Sequence, residues 1–292
     1  MTDIGYAARR AANEVRDTVE RAAHRASPFV EKFACLGYAA KGVVYVLIGL
    51  LAVLAAAGTG SGDTTGARGA FHTIMHQPFG LVLLGIVALG LGCYAMWQFI
   101  RAVEDPENEG SDGKAIAKRI GYFISGIIHA ALVVYAAHLI SGSAASGGGD
   151  DASAQSWSAT LMSYPAGRWM LGLIGLGVAI YGIKHLFDAY RAKLDRHLVL
   201  ERMRSDDARR WTRWISRFGI AARGIVFLLI GLFLMVAAYR TDPSEARGLG
   251  GALRALQQQP FGPWLLGAVA LGLIAYGVYQ FVCARYRRIE TE

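Results

Sequence analysis

Tyr94, Tyr181 and Tyr276 occupy equivalent positions in three related stretches of the chain. Each is followed four residues later by a polar side chain, Gln98, His185 and Gln280 respectively. A spacing of four puts both members of a pair on one face of a helix. Lys41, Ser125 and Arg223 form a further equivalent set, and Lys184 and Asp188 flank His185. These groups hydrogen-bond and carry charge; none is a nucleophile beside a base. In an apolar setting, polar and ionisable groups face a protein interior or water. The expectation is a polar belt with a cationic bias, suited to an anionic solute or a lipid headgroup. The alternative is that Lys41, Lys184 and Arg223 snorkel to the bilayer surface, while Tyr–Gln hydrogen bonds tie helices together. His185 changes charge near neutral pH, which makes it the expected gate of a solute path.

No catalytic motif is present: there is no HExxH, Walker loop or GxSxG. The reading is therefore not an enzyme. His72 and His76 have metal-ligand spacing but lack an evident third ligand. His129 lies in a hydrophobic stretch, where its equivalents are Tyr45 and Phe227, and His138 falls on the opposite face. A haem between His129 and His185 would need axial ligands whose depths differ by about 7 Å along their helices. A histidine bonded to a neighbouring helix is the simpler reading, and no cofactor or metal is expected. The three cysteines, Cys35, Cys93 and Cys283, form no CxxC and no disulfide framework.

The belt residues lie on a repeat. Residues 78–98 and 260–280 agree at 13 of 21 positions, and 165–185 agree with the last copy at nine. Chance would give about one or two. Hydrophobic residues make up 54% of the 292-residue chain and are concentrated in six blocks near 33–57, 79–103, 120–140, 169–189, 220–239 and 261–284. About 20 apolar residues cross a hydrocarbon core as a helix. A net charge of +8 would raise nucleic acid as a partner in a soluble chain. Here the Lys and Arg sort by side: 21 precede the first block, follow the last or lie in the second and fourth loops, against five in the other three loops. Positive charge stays inside, so both termini are expected in the cytoplasm of a multi-pass protein of the bacterial inner membrane. The first 32 residues are polar, so no cleavable leader is expected.

The expected fold is an all-α membrane protein of six transmembrane helices. They form three tandem two-helix repeats around a pseudo-threefold axis along the membrane normal. The units are residues 1–32, a cytoplasmic amphipathic segment; 33–105, 118–193 and 214–288, the repeats; and 194–213, a basic cytoplasmic linker. Before each repeat proline, the outer loops carry a short amphipathic segment, with Phe71, Trp157 and Leu253 expected to face lipid. Glycines at 80, 85 and 90, at 167, 172 and 177, and at 262, 267 and 272 are expected to admit neighbouring helices on more than one side. Mitochondrial carriers share this layout, but their Pro-x-acidic-x-x-basic signature is absent.

Gly37-Tyr-Ala-Ala-Lys-Gly42, the Gln77-Pro-Phe-Gly80 and Gln259-Pro-Phe-Gly262 turns, and the Ala-Leu-Gly-Leu-x-x-Tyr runs resemble a bacterial family of triplicated six-helix membrane proteins known only as a domain of unknown function. The resemblance spans about 33–288, with the second repeat departing most. It implies the fold and a bacterial origin, and it supplies neither activity nor site residues. Three functions then compete. One is a channel- or carrier-like module for a small solute. Another is a structural or assembly subunit that binds partner helices or anionic lipid headgroups at the cytoplasmic face, including as a homo-oligomer. The third is a haem or quinone redox subunit.

Overall fold

The computed structural model describes residues 32–59, 64–104, 110, 112–143, 149–191 and 205–286. The amphipathic segment expected over 1–32 lies outside these residues except for Lys32, as does 194–204 of the linker. Six helices are long and apolar enough to cross a membrane, which marks a multi-pass membrane protein. They are α1 (Lys32–Ala56), α3 (Gly80–Val103), α4 (Gly113–Ile140), α6 (Gly167–Arg191), α7 (Asp206–Arg240) and α9 (Gly262–Tyr286). Three short helices alternate with them: α2 (Ala67–Met75), α5 (Asp150–Met162) and α8 (Leu249–Gln257).

Helix starts follow local chemistry. Ser205 caps α7 by accepting from the Ala208 N–H at 3.2 Å, and Asp206 and Asp207 sit in its first turn, where the helix dipole favours negative charge. The last residues of the expected linker, 206–213, are therefore helical. Likewise Asp112 accepts from the Ala115 N–H at 2.9 Å and starts α4 ahead of 118. The repeat prolines mark three matching turns. The N–H of Gly80, Gly167 and Gly262 donates to the carbonyl of Gln77, Tyr164 and Gln259 at 2.8, 2.9 and 2.7 Å. Phe79 and Phe261 hold left-handed backbone there, with φ of 61°. The following glycine is required because a side chain at Gly80 would meet the Ile74 carbonyl at 2.5 Å.

Glycine contacts give the order of the spanning helices. A methyl group added at Gly37 of α1 would stand 2.7 Å from the Tyr94 Cα of α3, and one added at Gly42 would stand 2.9 Å from the Gly277 carbonyl of α9. Gly126 of α4 meets Phe99 of α3, Gly224 of α7 meets Gly182 of α6, and Gly219 of α7 meets Tyr276 of α9. Such close approach is what small residues permit. The neighbours therefore run α4, α3, α1, α9, α7, α6. The third glycines Gly90 and Gly272 admit a neighbouring helix as expected, whereas the first glycines and Gly85 differ from the expectation. Gly80, Gly167 and Gly262 pack on the preceding short helix, while Gly85 faces open space.

The short helices gather at one end of the bundle, opposite the end that holds Lys32 of α1 and Tyr286 of α9. Phe71 and Leu253 are fully buried there, contrary to the expectation that they face lipid; Trp157 is exposed. They join a core with Ile48, Leu84, Val226, Leu266 and Leu273. Where the alternative is water, burying a side chain of this size contributes about 1.5–3 kcal/mol, so α2 and α8 plug the bundle rather than float on it. Two carboxylates at the start of α5 join the three. Asp150 accepts from the Arg68 N–H at 3.3 Å. Asp151 accepts from the N–H of Gly248 and of Gly251 at 2.8 and 2.9 Å, capping α8. The half-buried Asp150 carboxyl is pushed up to about 6 by burial, against the pull of Arg68.

Candidate functional site

The half of the bundle away from the short helices holds the polar belt. Lys41 does not snorkel: it is buried, and its Nζ donates to the Tyr94 hydroxyl at 2.7 Å. The same Nζ lies 4.4 Å from the Tyr94 ring centre and 5.9 Å from that of Tyr276. Arg223 also turns inward. Its Nε donates to the Tyr45 hydroxyl at 3.2 Å and an Nη to His185 Nε2 at 2.9 Å. Its guanidinium lies 4.8 Å from the Tyr276 ring centre and 5.9 Å from that of Tyr181. A guanidinium only donates, so His185 Nε2 must accept and the ring proton sits on Nδ1. That Nδ1 is buried with no partner among the described residues.

A Tyr–Gln hydrogen bond forms in one repeat of three, and it lies within α9 rather than tying two helices together. Gln280 donates to the Tyr276 hydroxyl at 2.7 Å. In the first repeat Lys41 takes the tyrosine hydroxyl, and Gln98 accepts from Arg101 at 3.0 Å. In the second repeat His185 pairs with Arg223. Lys184 and Asp188 leave His185 alone and bind each other at 3.0 Å on the exposed face. Lys184 is thus the one member of the expected snorkelling set that faces outward.

Three aromatic contacts recur at repeat-equivalent places. Tyr45 meets Tyr276 at 4.7 Å between ring centres, His129 meets Tyr94 at 4.6 Å and Phe227 meets Tyr181 at 5.4 Å. Each joins the first spanning helix of one repeat (α1, α4 or α7) to the second spanning helix of the preceding repeat (α9, α3 or α6). His129 Nδ1 lies 2.7 Å from the Ser125 carbonyl. A carbonyl only accepts, so Nδ1 carries the proton. With His185 Nε2 engaged by Arg223, that atom is not open as an axial haem ligand. Elsewhere, His72 Nε2 is 2.9 Å from the Tyr135 hydroxyl, and His76 Nδ1 donates to the His72 carbonyl at 2.8 Å. No group of three metal-ligating side chains occurs among the described residues.

The sequence reading missed a second repeated device. Arg119 of α4 donates to the Ala102 and Val103 carbonyls at 2.8 and 2.7 Å. Arg217 of α7 donates to the Ala189 and Tyr190 carbonyls at 2.8 and 3.2 Å. Each arginine satisfies carbonyls left unpaired at the C-terminal end of α3 or α6. The two positions are repeat-equivalent, which was the available signal; in the first repeat Cys35 stands there. Both arginines border cavities at this end, of about 570 Å³ beside Trp211 and Trp214 and about 260 Å³ beside Ile116 and Phe123.

The charge balance of the belt is one-sided. The ion pairs among the described residues, Lys184–Asp188, Arg209–Asp206 and Arg240–Glu245, include neither Lys41 nor Arg223. The buried Lys41 and the half-buried Arg223 are thus held by tyrosine hydroxyls, ring faces and a histidine.

These features define a six-helix, internally triplicated membrane protein. The chain belongs to the Domain of Unknown Function (DUF1206) family, whose model matches it three times, at 36–105, 120–192 and 218–287. A protein of Bacillus subtilis (strain 168) described as "Uncharacterized protein YxxB" is 34% identical over 265 residues, covering 91% of this chain and 94% of the relative. No solved structure matches it.

Proposed function

We propose that this chain is a non-enzymatic inner-membrane module that takes an anion at its centre and serves as a carrier-like path for a small anionic solute. The observation that carries this reading is the pair of a buried Lys41 and a half-buried Arg223, set against the same Tyr276 ring with no carboxylate partner among the described residues. Sharing that ring, the two charges lie within about 11 Å of each other, and even at that limit they repel by about 1.5 kcal/mol at an effective dielectric constant of 20. An anion between them removes that cost, and tyrosine hydroxyls can donate to it as well as accept. The recurring aromatic contacts support a pseudo-threefold arrangement about this centre. The Lys and Arg distribution supports cytoplasmic termini, which puts the belt in the cytoplasmic half.

The test is uptake of labelled inorganic phosphate and small carboxylates into vesicles reconstituted with the full chain. Arg223→Gln and His185→Ala, each checked for an unchanged elution profile, should lower the saturable uptake about tenfold or more. Uptake equal to protein-free vesicles for the native chain would refute carriage. A second reading, an assembly or lipid-binding subunit, is favoured by the exposure of α4 and α6, the two least buried spanning helices.

A further inference from the structure

The two intact repeats and the middle one differ in one physical respect. In the first repeat, Gly90 of α3 packs on the Ala40 methyl of α1; in the third, Gly272 of α9 packs on the Ala222 methyl of α7. The equivalent pair in the second repeat is Gly177 and Ile124. A side chain added at Gly177 meets nothing within 4 Å, and Ile124 is 51% exposed where Ala40 and Ala222 are 7% and 3%. Gly121 repeats the pattern. Its equivalents Gly37 and Gly219 lie against the backbone of Tyr94 and Tyr276, while Gly121 faces open space. The two helices of the second repeat are therefore not seated on each other as the other pairs are.

The gap reaches the belt. Tyr181 is 40% exposed, whereas its equivalents Tyr94 and Tyr276 are each 4%. Gly121, Ile124, Ser125 and Ile128 share one face of α4, and Ile174, Gly177, Tyr181 and His185 share one face of α6. The α6 face is apolar toward the short helices and polar toward the opposite end, while Ser125 is the one polar group named on the α4 face. Behind Tyr181 and His185 stands Arg223.

We propose that the gap between α4 and α6 is a lateral portal through which an anionic lipid sets its headgroup against Arg223 and Lys41. This rests on reading the centre as an anion site, and it adds the ligand class and the route. Depth favours a lipid. The exposed Lys184–Asp188 pair belongs at the bilayer surface, since charge is costly deeper. Tyr181 is three residues further in, about 4.5 Å along the helix. A headgroup slipping between α4 and α6 thus moves by about one turn, while its chains stay on Ile124, Ile128 and Ile174. A free anion would have to cross hydrocarbon to use the same opening.

The experiment compares thermal unfolding of the purified full chain with phosphatidylglycerol, phosphatidylcholine or inorganic phosphate added to neutral detergent. Phosphatidylglycerol should raise Tm saturably, by several degrees at about 100 times its half-saturating concentration, and phosphatidylcholine should not. Ile124→Trp and Gly177→Leu fill the gap from positions with room, so each should keep the lipid-free Tm. Each should weaken the phosphatidylglycerol response about tenfold or more. A phosphatidylglycerol response untouched by both variants would overturn the portal. A phosphate response that the variants leave intact, without a lipid response, would also overturn it while preserving the anion site. Absence of any response to phosphate or phosphatidylglycerol would overturn both.

Discussion

Alanine substitution at three equivalent glycines, Gly37, Gly121 and Gly219, reads the asymmetry of the repeats directly. At Gly37 the new methyl would lie 2.7 Å from the Tyr94 Cα, and at Gly219 it would lie 2.6 Å from the Tyr276 Cα. Backbone cannot step aside as a flexible side chain can, so the helices must separate. Overpacking of this kind costs about 1–3 kcal/mol. At Gly121 nothing lies within 4 Å, and alanine gains up to about 1 kcal/mol over glycine inside a helix. With about 2–4 °C per kcal/mol for a chain of this size, Gly37→Ala and Gly219→Ala should each lower Tm by about 2–12 °C. Gly121→Ala should leave it unchanged or raise it by up to about 4 °C. Tryptophan fluorescence during a ramp at one fixed scan rate measures all three in the same detergent. A loss at Gly121→Ala as large as at Gly219→Ala would refute the reasoning, because α4 and α6 would then pack as the other pairs do.

Other outcomes follow from the outer cap and the topology. Burial holds Asp150 protonated to about 6 in the folded chain, above its unfolded value of about 3.8. Its contribution to stability is therefore present below about pH 4 and lost as pH rises to about 6. Asp150→Asn should flatten that part of a Tm-against-pH curve, and an unchanged slope would show that another group titrates. Asp151→Ala removes the acceptor for the Gly248 and Gly251 N–H groups. It should cost about 0.5–2 kcal/mol, read as a Tm loss that Asp151→Asn largely restores. A single cysteine at Ser143, in an otherwise cysteine-free chain, should react with an impermeant thiol reagent added outside intact cells. One at Ser205 should not, and the reverse pattern would invert the orientation.

Much of this architecture was legible because a repeat is a strong signal. Tyr94, Tyr181 and Tyr276 fall in register in the sequence, and the structure gives each an aromatic neighbour at a repeat-equivalent position: His129, Phe227 and Tyr45. Packing partners were less legible. Lipid tails are as apolar as leucine, so hydropathy cannot tell a helix face that meets lipid from one that meets protein. Phe71 and Leu253 read as lipid-facing for that reason and are buried. Ile124 reads as an ordinary member of its hydrophobic block, and only its bulk against Ala40 and Ala222 marks the gap. Lys184 sits beside His185 in sequence, but adjacent helical residues point apart, and its partner is Asp188 four residues on. The start of α7 was readable from Ser205, Asp206 and Asp207, yet the run of basic residues there suggested a linker.

The centre itself is tested most directly by a high-resolution electron cryomicroscopy map of the full chain in nanodiscs containing phosphatidylglycerol. The account predicts non-protein density within hydrogen-bonding distance of the Arg223 guanidinium, extending toward Lys41 and continuous with a chain between α4 and α6. A carboxylate of this chain seated between Lys41 and Arg223, or a closed α4–α6 contact with only water at the two cations, would contradict it.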